Sequence, residues 1–275
     1  MHVLAGLKLI AAMLVILAVG WFFWVVAHPE APHADPDRYG CIIGRVPPGH
    51  TLIFVDRTDP FAESQVRAFK NEISRVEAAI EPGEMLTVAS IGAELPPAVS
   101  FRACSPERGD ALGLLDSLRQ NRDWLQTRSE YEQSFQRPLE TLAEGMALNR
   151  TASWSPIIQS MSAAMEQLGP SWSRVRKRRV ILITDLMENT PAFSQYDRRD
   201  NGRRFAEVRQ CVPYLHAATL DLHAAAVTVL YLTGLPHDSG LQGLEHQRFW
   251  RDLVAFYGGD VVDWLVVPAA DSLSH

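Results

Sequence analysis

The chain has only three cysteines, Cys41, Cys104 and Cys211, in 275 residues. They form no C-x-x-C pair and no zinc spacing, and they are too few for a disulfide scaffold. One disulfide with one free thiol, as an oxidising compartment allows, and three separate packed thiols both remain open. The sequence also lacks an excess of positive charge. With 26 Lys and Arg against 32 Asp and Glu, the formal net charge is -6, so the basic face that general nucleic-acid binding needs is missing and no nucleic acid is expected. The nine histidines are scattered, with no H-E-x-x-H pair. No G-x-S-x-G nucleophile elbow occurs, and no Gly-rich phosphate loop follows a candidate strand. There is no internal repeat and no low-complexity tract.

One long uncharged run is present near the start. From Leu9 to Ala27 no residue is charged, and Trp21, Phe22, Phe23 and Trp24 crowd its far end. As a helix rising about 1.5 Å per residue, a run of this length reaches roughly 28 Å, close to the hydrocarbon thickness of a bilayer. It exceeds the apolar core of a usual cleaved leader, and no A-x-A site follows, so a retained single-pass anchor is expected over residues 1–27. Lys8 precedes the run, while Glu30, Asp35 and Asp37 follow it with only Arg38. The positive-inside rule then puts the large domain on the extracytoplasmic side, the periplasm in a bacterial cell. Residues 28–50 carry Pro29, Pro32, Pro36, Pro47 and Pro48 and read as an extended linker, with room for a short strand at Cys41–Val46.

The domain expected over residues 51–268 is organised around Thr51–Pro60, TLIFVDRTDP. This is an apolar strand that delivers Asp56, Thr58 and Asp59 to its carboxyl end. Val180–Asn189, VILITDLMEN, repeats the form and ends in Thr184 and Asp185. Between and after them come a helix over about Phe61–Ile80, strands at Met85–Ile91 and Ala98–Cys104 (antiparallel to each other), and a helical insertion over about 110–148 that Pro138 kinks or breaks. A helix at Ile157–Leu168, capped by Ser155, follows. The cationic run Arg174–Arg179 reads as a solvated approach to the next strand, and Met187–Arg203 as a loop. A short helix at Phe205–Leu215, weakened by Pro213, precedes a buried strand at His223–Leu232. A helix at Leu244–Phe256 and a last strand at Val261–Val267 close the domain, and residues 269–275 form a polar tail. Fully apolar strands alternating with helices imply an α/β fold: a doubly wound, mostly parallel sheet with helices on both faces. Ligands then bind outside the carboxyl ends of the strands, where strand order reverses.

The motifs FVDRTDP at 54–60, WSPIIQSM at 154–161 and VILITDL at 180–186, with VTVLYL and FWRDLVAFYGG after them, resemble those of the von Willebrand factor A (vWA) family over about Thr51–Val267. The resemblance implies a divalent-cation adhesion site. Carried over by position, its ligands are Asp56 and Thr58 from the first loop, Ser155 from the second, and Asp185 after the fourth strand, with Asp59 as an added carboxylate and Thr151 as the rival to Ser155. The third position of the first loop is Pro60, which has no side-chain oxygen, and Leu186 stands where the family usually has Gly. The implied ion is Mg²⁺, with Mn²⁺ as a substitute, because hard cations take oxygen ligands. The implied function is binding of a protein partner whose acidic side chain completes the coordination, with Trp154 as a partner contact. Two alternatives stand beside it. In one, the domain is an envelope scaffold in which Asp56 caps the helix after Pro60, Thr58 and Asp59 are turn residues and Asp185 bonds loop amides. In the other, a metal-dependent hydrolase or phosphatase draws its acid or base from Glu188 or Asp59.

Overall fold

Alternation along the first strand sorts its side chains into two cores. The structure, a computed structural model, describes residues 13–21, 36–108, 124–146, 152–218, 220–234 and 240–269. In β1 (Gly49–Asp56) Leu52 and Phe54 enter one apolar cluster, and Ile53 and Val55 enter the other. A strand buried on both faces reads as a continuous apolar run, which is why TLIFV is legible as a central strand. Helix α1 (Glu63–Ala79) presents Phe69, Ile73 and Val76 to the second cluster at helical spacing. Strands β2 (Met85–Ile91) and β3 (Ala98–Cys104) pair antiparallel, as expected.

Of the expected insertion, Trp124–Met146 is described and is helical. Helices α2 (Trp124–Tyr131) and α3 (Arg137–Met146) are joined by a π turn at Glu132–Gln136, where the Arg137 N–H donates to the Glu132 carbonyl. Pro138 has no N–H to give and its ring crowds the preceding turn. The ladder widens just before it instead of breaking. Phe135, Leu139 and Met146 pack with α1 in the second cluster.

Helix α4 (Ile157–Leu168) and the short α5 (Pro170–Ser173) lead into β4 (Lys177–Thr184). The cationic run is therefore partly strand, not a solvated approach. Lys177 and Arg179 both pair with the buried Glu84, at 2.8 and 2.7 Å, and Arg178 donates to the carbonyls of Trp172, Ser173 and His223. The expected loop after β4 contains a small hairpin, β5 (Asn189–Thr190) with β6 (Phe193–Ser194), and a short helix α6 (Arg198–Asn201). Pro213 divides the expected helix at 205–215 into α7 (Phe205–Cys211) and α8 (Pro213–Ala217), opening the second as proline does at a first helical turn. Strand β7 (Ala226–Thr233), helix α9 (Leu244–Phe256) and strand β8 (Asp260–Pro268) complete the domain, with Gly258 at φ 78 just past the α9 terminus.

The six-stranded sheet has the order β3-β2-β1-β4-β7-β8, with only β3 antiparallel. α4, α7, α8 and α9 cover the face of Leu52, Phe54 and Leu182. α1 and α3 cover the face of Ile53, Val55 and Ile183. This is the doubly wound α/β architecture, and its strand order reverses between β1 and β4.

At the N-terminal side two expectations change. From Pro36 onward the expected spacer is held to the domain, because Cys41 and Cys104 form a disulfide and the Cys104 N–H donates to the Tyr39 carbonyl. In place of a strand at Cys41–Val46 there is a single bridge, Pro36 to Ile42, and a turn in which the Arg45 N–H donates to the Ile42 carbonyl. Cys211 is a free, exposed thiol. Residues 13–21 are helical. The rest of the expected span 9–27 lies outside the described residues, and among the described residues no helix is long and apolar enough to cross a membrane.

Candidate functional site

The carboxyl ends of β1 and β4 meet where strand order reverses, and both strands end in oxygen-bearing side chains. Asp56 continues the alternation of Leu52 and Phe54, and Thr184 continues that of Val180 and Leu182. Equal parity on neighbouring parallel strands puts both side chains on the α4 face of the sheet. The Thr184 Oγ1–H donates to Asp56 Oδ2 at 2.7 Å, and its oxygen accepts the Leu186 N–H at 2.8 Å. Thr58, two residues on, donates both its N–H (3.0 Å) and its Oγ1–H (2.7 Å) toward Asp56 Oδ1. Ser155 Oγ lies 3.1 Å from Thr58 Oγ1 and 3.3 Å from Asp56 Oδ2. Backbone bonds hold the Ser155 loop in place: Ser155 and Asn189 exchange N–H···O bonds at 2.9 Å in both directions, and the Ala152 N–H donates to the Thr58 carbonyl at 2.9 Å.

The structure thus brings together three of the expected site residues, Asp56, Thr58 and Ser155, and adds Thr184. Asp185 stands at the same strand end, but its Oδ1 accepts the Met187 N–H at 2.9 Å. It therefore bonds a loop amide, as the scaffold alternative expects. Thr151 lies outside the described residues. Two capping expectations are corrected. Asp56 does not cap α1, whose N-cap is Ala62 with the Gln65 Oε1 accepting its N–H. Ser155 does not cap α4 by its side chain. The first turn of α4 is served by Glu188, whose Oε2 accepts the Ile158 N–H at 3.0 Å, and this leaves the Ser155 hydroxyl free to face Asp56 and Thr58.

Charge at the site is set by burial. Burial raises the Asp56 carboxyl above its ordinary value, and the hydrogen bonds from Thr58 and Thr184 work in the opposite direction. Burial pushes Glu188 up to about 8, against the bonds from the Ile158 amide and from Tyr214. Tyr214 donates to Glu188 Oε1 at 2.8 Å and burial raises its own phenol. Glu188 is fully buried between α4 and α8 and is not among the residues lining the hollow outside.

That hollow, about 190 Å³ in volume, opens directly over the oxygens and is lined by Thr58, Asp59, Trp154, Ser155, Asn189 and Tyr196, with Ala152. Trp154 is 44 % exposed at its rim. Neighbouring oxygens around an octahedral Mg²⁺ at about 2.0–2.1 Å lie about 2.9 Å apart. The spacings of 2.7, 3.1 and 3.3 Å among Asp56, Thr58 and Ser155 are of that size, and the set is all oxygen. An all-oxygen set with one carboxylate is the donor chemistry a hard cation takes, and the same spacings are those of the hydrogen bonds these groups make with one another. It is not a chelating cage, since no group of three or more His, Cys, Asp or Glu that would hold a metal occurs among the described residues. Thr184, Asn189 and Tyr196 were not anticipated as site residues. Thr184 stands next to Asp185 in the same strand end, and its parity with Val180 and Leu182 is the signal that distinguishes the two.

No protein-family model and no curated protein matches the chain. Among solved structures it is similar to the SpRpn10 VWA domain, at 10 % identity over 82 % of this chain and 90 % of that one, with a TM-score of 0.37. It is also similar to the conserved hypothetical protein BatB from Bacteroides thetaiotaomicron, at 12 % identity over 81 % and 92 % of the two chains, with a TM-score of 0.39.

Proposed function

We propose that the chain is a vWA-type interaction module, held to a membrane by residues 9–27 with its domain on the extracytoplasmic side, and that it captures a protein partner at the hollow over Asp56. The observation that carries this is the meeting of Asp56, Thr58 and Ser155 at the reversal of strand order, under a hollow rimmed by Trp154 and Tyr196. Asp56, Thr58 and Ser155 would hold a Mg²⁺, and the ion would supply positive charge that offsets the burial of Asp56 and attracts a carboxylate of the partner. Trp154 gives that partner an apolar, partly exposed contact of the kind that anchors interfaces. The Cys41–Cys104 disulfide supports an oxidising compartment. Glu188, turned to the α4 amides and Tyr214, is poorly placed for the acid or base of a hydrolase.

The scaffold alternative also has observations on its side: both Asp56 oxygens already accept hydrogen bonds from Thr58, Thr184 and Ser155, and Asp185 accepts the Met187 amide. Titration of the full-length protein in detergent with Mn²⁺ and Mg²⁺, by calorimetry, separates the two. One ion per chain, lost in Asp56→Ala and weakened in Ser155→Ala, supports the cation site. Identical behaviour of wild type and Asp56→Ala overturns it and leaves the hollow as a metal-free groove.

A further inference from the structure

The opposite pole of the sheet carries a second surface, independent of the hollow. Parallel strands of eight residues separate the two ends by about 26 Å. At the amino ends of β1 and β4, the segment 36–46 is stapled to β3 by the Cys41–Cys104 disulfide. The guanidinium groups of Arg38 and Arg102 each lie 4.6 Å from the centre of the Tyr39 ring, and Arg102 Nη2 donates to Ser171 Oγ at 2.8 Å. This chain of contacts sets the segment beside α5 and the cationic run that follows it.

The segment ends in the turn Ile42–Arg45, with Gly44 at φ 80 in its third position, as a type II turn requires. Turn tips are ordinarily polar, but here Ile42, Ile43 and Val46 are 41, 62 and 53 % exposed. Arg38 and Arg45 are exposed on the same segment, and Arg174 and Arg176 are exposed just after α5, which Arg102 ties to Tyr39 through Ser171. This pole also carries exposed acidic groups, Glu107 after β3, Asp221 before β7 and Asp260 at the start of β8, but those nearest the cationic run are paired. Glu81 and Glu84 pair with Lys177 and Arg179, and Asp37 Oδ1 accepts the amides of Tyr39 and Cys41. A cationic pole with an apolar tip stands out on a chain of net charge -6.

We propose that this pole docks on an anionic phospholipid bilayer, with Ile42, Ile43 and Val46 entering the interface and the four arginines meeting the lipid phosphates. Apolar side chains flanked by exposed cations match the headgroup boundary in both respects. Chain length agrees. Residues 28–35 alone separate the uncharged run from Pro36, and at 3.3–3.6 Å per residue they span at most about 29 Å. This distance argument rests on the anchor proposed above, whereas the charge and exposure do not. Docked in this way, the domain would turn the hollow over Asp56 away from the membrane, toward a partner.

The test uses the full-length protein with vesicles of neutral phosphatidylcholine and vesicles containing one third phosphatidylglycerol, read by flotation and by amide hydrogen exchange. The expected result is flotation with both, and slowed exchange over 42–46 only on the anionic vesicles. That protection should be lost in Arg45→Glu/Arg176→Glu and in Ile43→Ser/Val46→Ser, and should fade toward 1 M salt, where the screening length is about 3 Å. Flotation with both vesicles but no lipid-dependent protection overturns the docking surface and leaves the anchor. Flotation with anionic vesicles alone, lost in the double Glu variant, upholds the surface and removes the anchor. No flotation with either overturns both. Protection of 42–46 that grows with protein concentration in neutral micelles overturns lipid docking in favour of a second copy of the chain.

Discussion

The His246 ring holds the carbonyl of Leu186: its Nε2–H donates to Leu186 O at 3.0 Å while Nδ1 accepts the Tyr231 O–H at 2.7 Å. Leu186 sits at φ 60 immediately after the Thr184–Asp185 strand end, a conformation that costs a branched L-residue of order 1 kcal/mol and that surrounding contacts must impose. The α9 helix, through His246, thereby fixes the loop that shapes the site. Burial lowers His246 to about 4, and it lowers His50 likewise to about 4. A base with a depressed folded value is neutral in the native state and charged in the unfolded chain between the two values, so stability is lost as pH falls from 6.5 toward 4, by up to about 3 kcal/mol for each ring. Urea midpoints should still drop across that window in the wild type, by less than the two rings alone would give, because Glu188 gains stability as pH falls toward its ordinary 4.5. They should drop less in His246→Gln, which does not titrate and keeps a donor near Leu186. An equal slope would remove His246 from the account.

Glu188 predicts the opposite sign at higher pH. Its folded value of about 8 lies above the ordinary 4.5, so the native state keeps a proton that the unfolded chain gives up, and stability falls as pH rises through that window. Between pH 6.5 and 8 the unfolded histidines give up only their last half proton each, a gain of about 0.4 kcal/mol per ring, against which Glu188 should cost about 2 kcal/mol. Asp56, raised by burial, adds a loss of the same direction. Glu188→Gln retains an acceptor for the Ile158 amide and should flatten most of the slope. Chemical denaturation in chelator at pH 6.5 and 8 reads it directly, and a slope unchanged by the substitution would place the buried proton elsewhere.

The inner strands β1, β2, β4 and β7 were legible because they are largely buried on both faces and read as apolar runs, whereas the edge strands β3 and β8 are partly exposed. The strand ends were legible because Asp56 and Asp185 interrupt those runs. The choice between Thr184 and Asp185 was not, since a β-branched residue at a buried position looks like core until the register with β1 is known. The hairpin at 189–194 was missed because Phe193 is its only large buried apolar side chain, too little to give a period. Ser155 was read both as a cap and as a site hydroxyl, because the two have the same local sequence, and only the distant Glu188 separates them. The Cys41–Cys104 pairing could not be read, as proximity across a separation of 63 residues leaves no trace in spacing.

Thr184 serves two partners at once, and its removal should be felt at both. Thr184→Val keeps the shape but leaves Asp56 Oδ2 with only the longer Ser155 contact and the Leu186 N–H without its acceptor. Unsatisfied buried groups cost about 1–3 kcal/mol each, so a loss of roughly 2–4 kcal/mol is expected. Thr184→Ser restores the hydroxyl and should recover most of it. If the cation site is live, Mn²⁺ should narrow the gap between Thr184→Val and wild type, because an ion at Asp56 replaces the missing donor. Denaturation of the variants with and without Mn²⁺ tests both statements.

The Cys41–Cys104 disulfide closes a loop of 63 residues that contains β1, α1, β2 and β3, three of the six strands of the sheet. Tying ends so far apart removes freedom mainly from the unfolded chain, worth about 4 kcal/mol in the loop-entropy description. Reduction, or Cys41→Ser with Cys104→Ser, should lower stability by that order while leaving the parallel sheet intact, because β1 is held on both sides by β2 and β4. The local consequence should be confined to residues 36–46, whose attachment to β3 is the disulfide, the Tyr39–Cys104 backbone bond and the Arg102 guanidinium over the Tyr39 ring. Hydrogen exchange under reducing conditions should therefore quicken at Tyr39–Arg45 and remain slow at Leu52–Val55. Equal loosening of both would mean that the staple holds the sheet itself rather than the pole built on its edge.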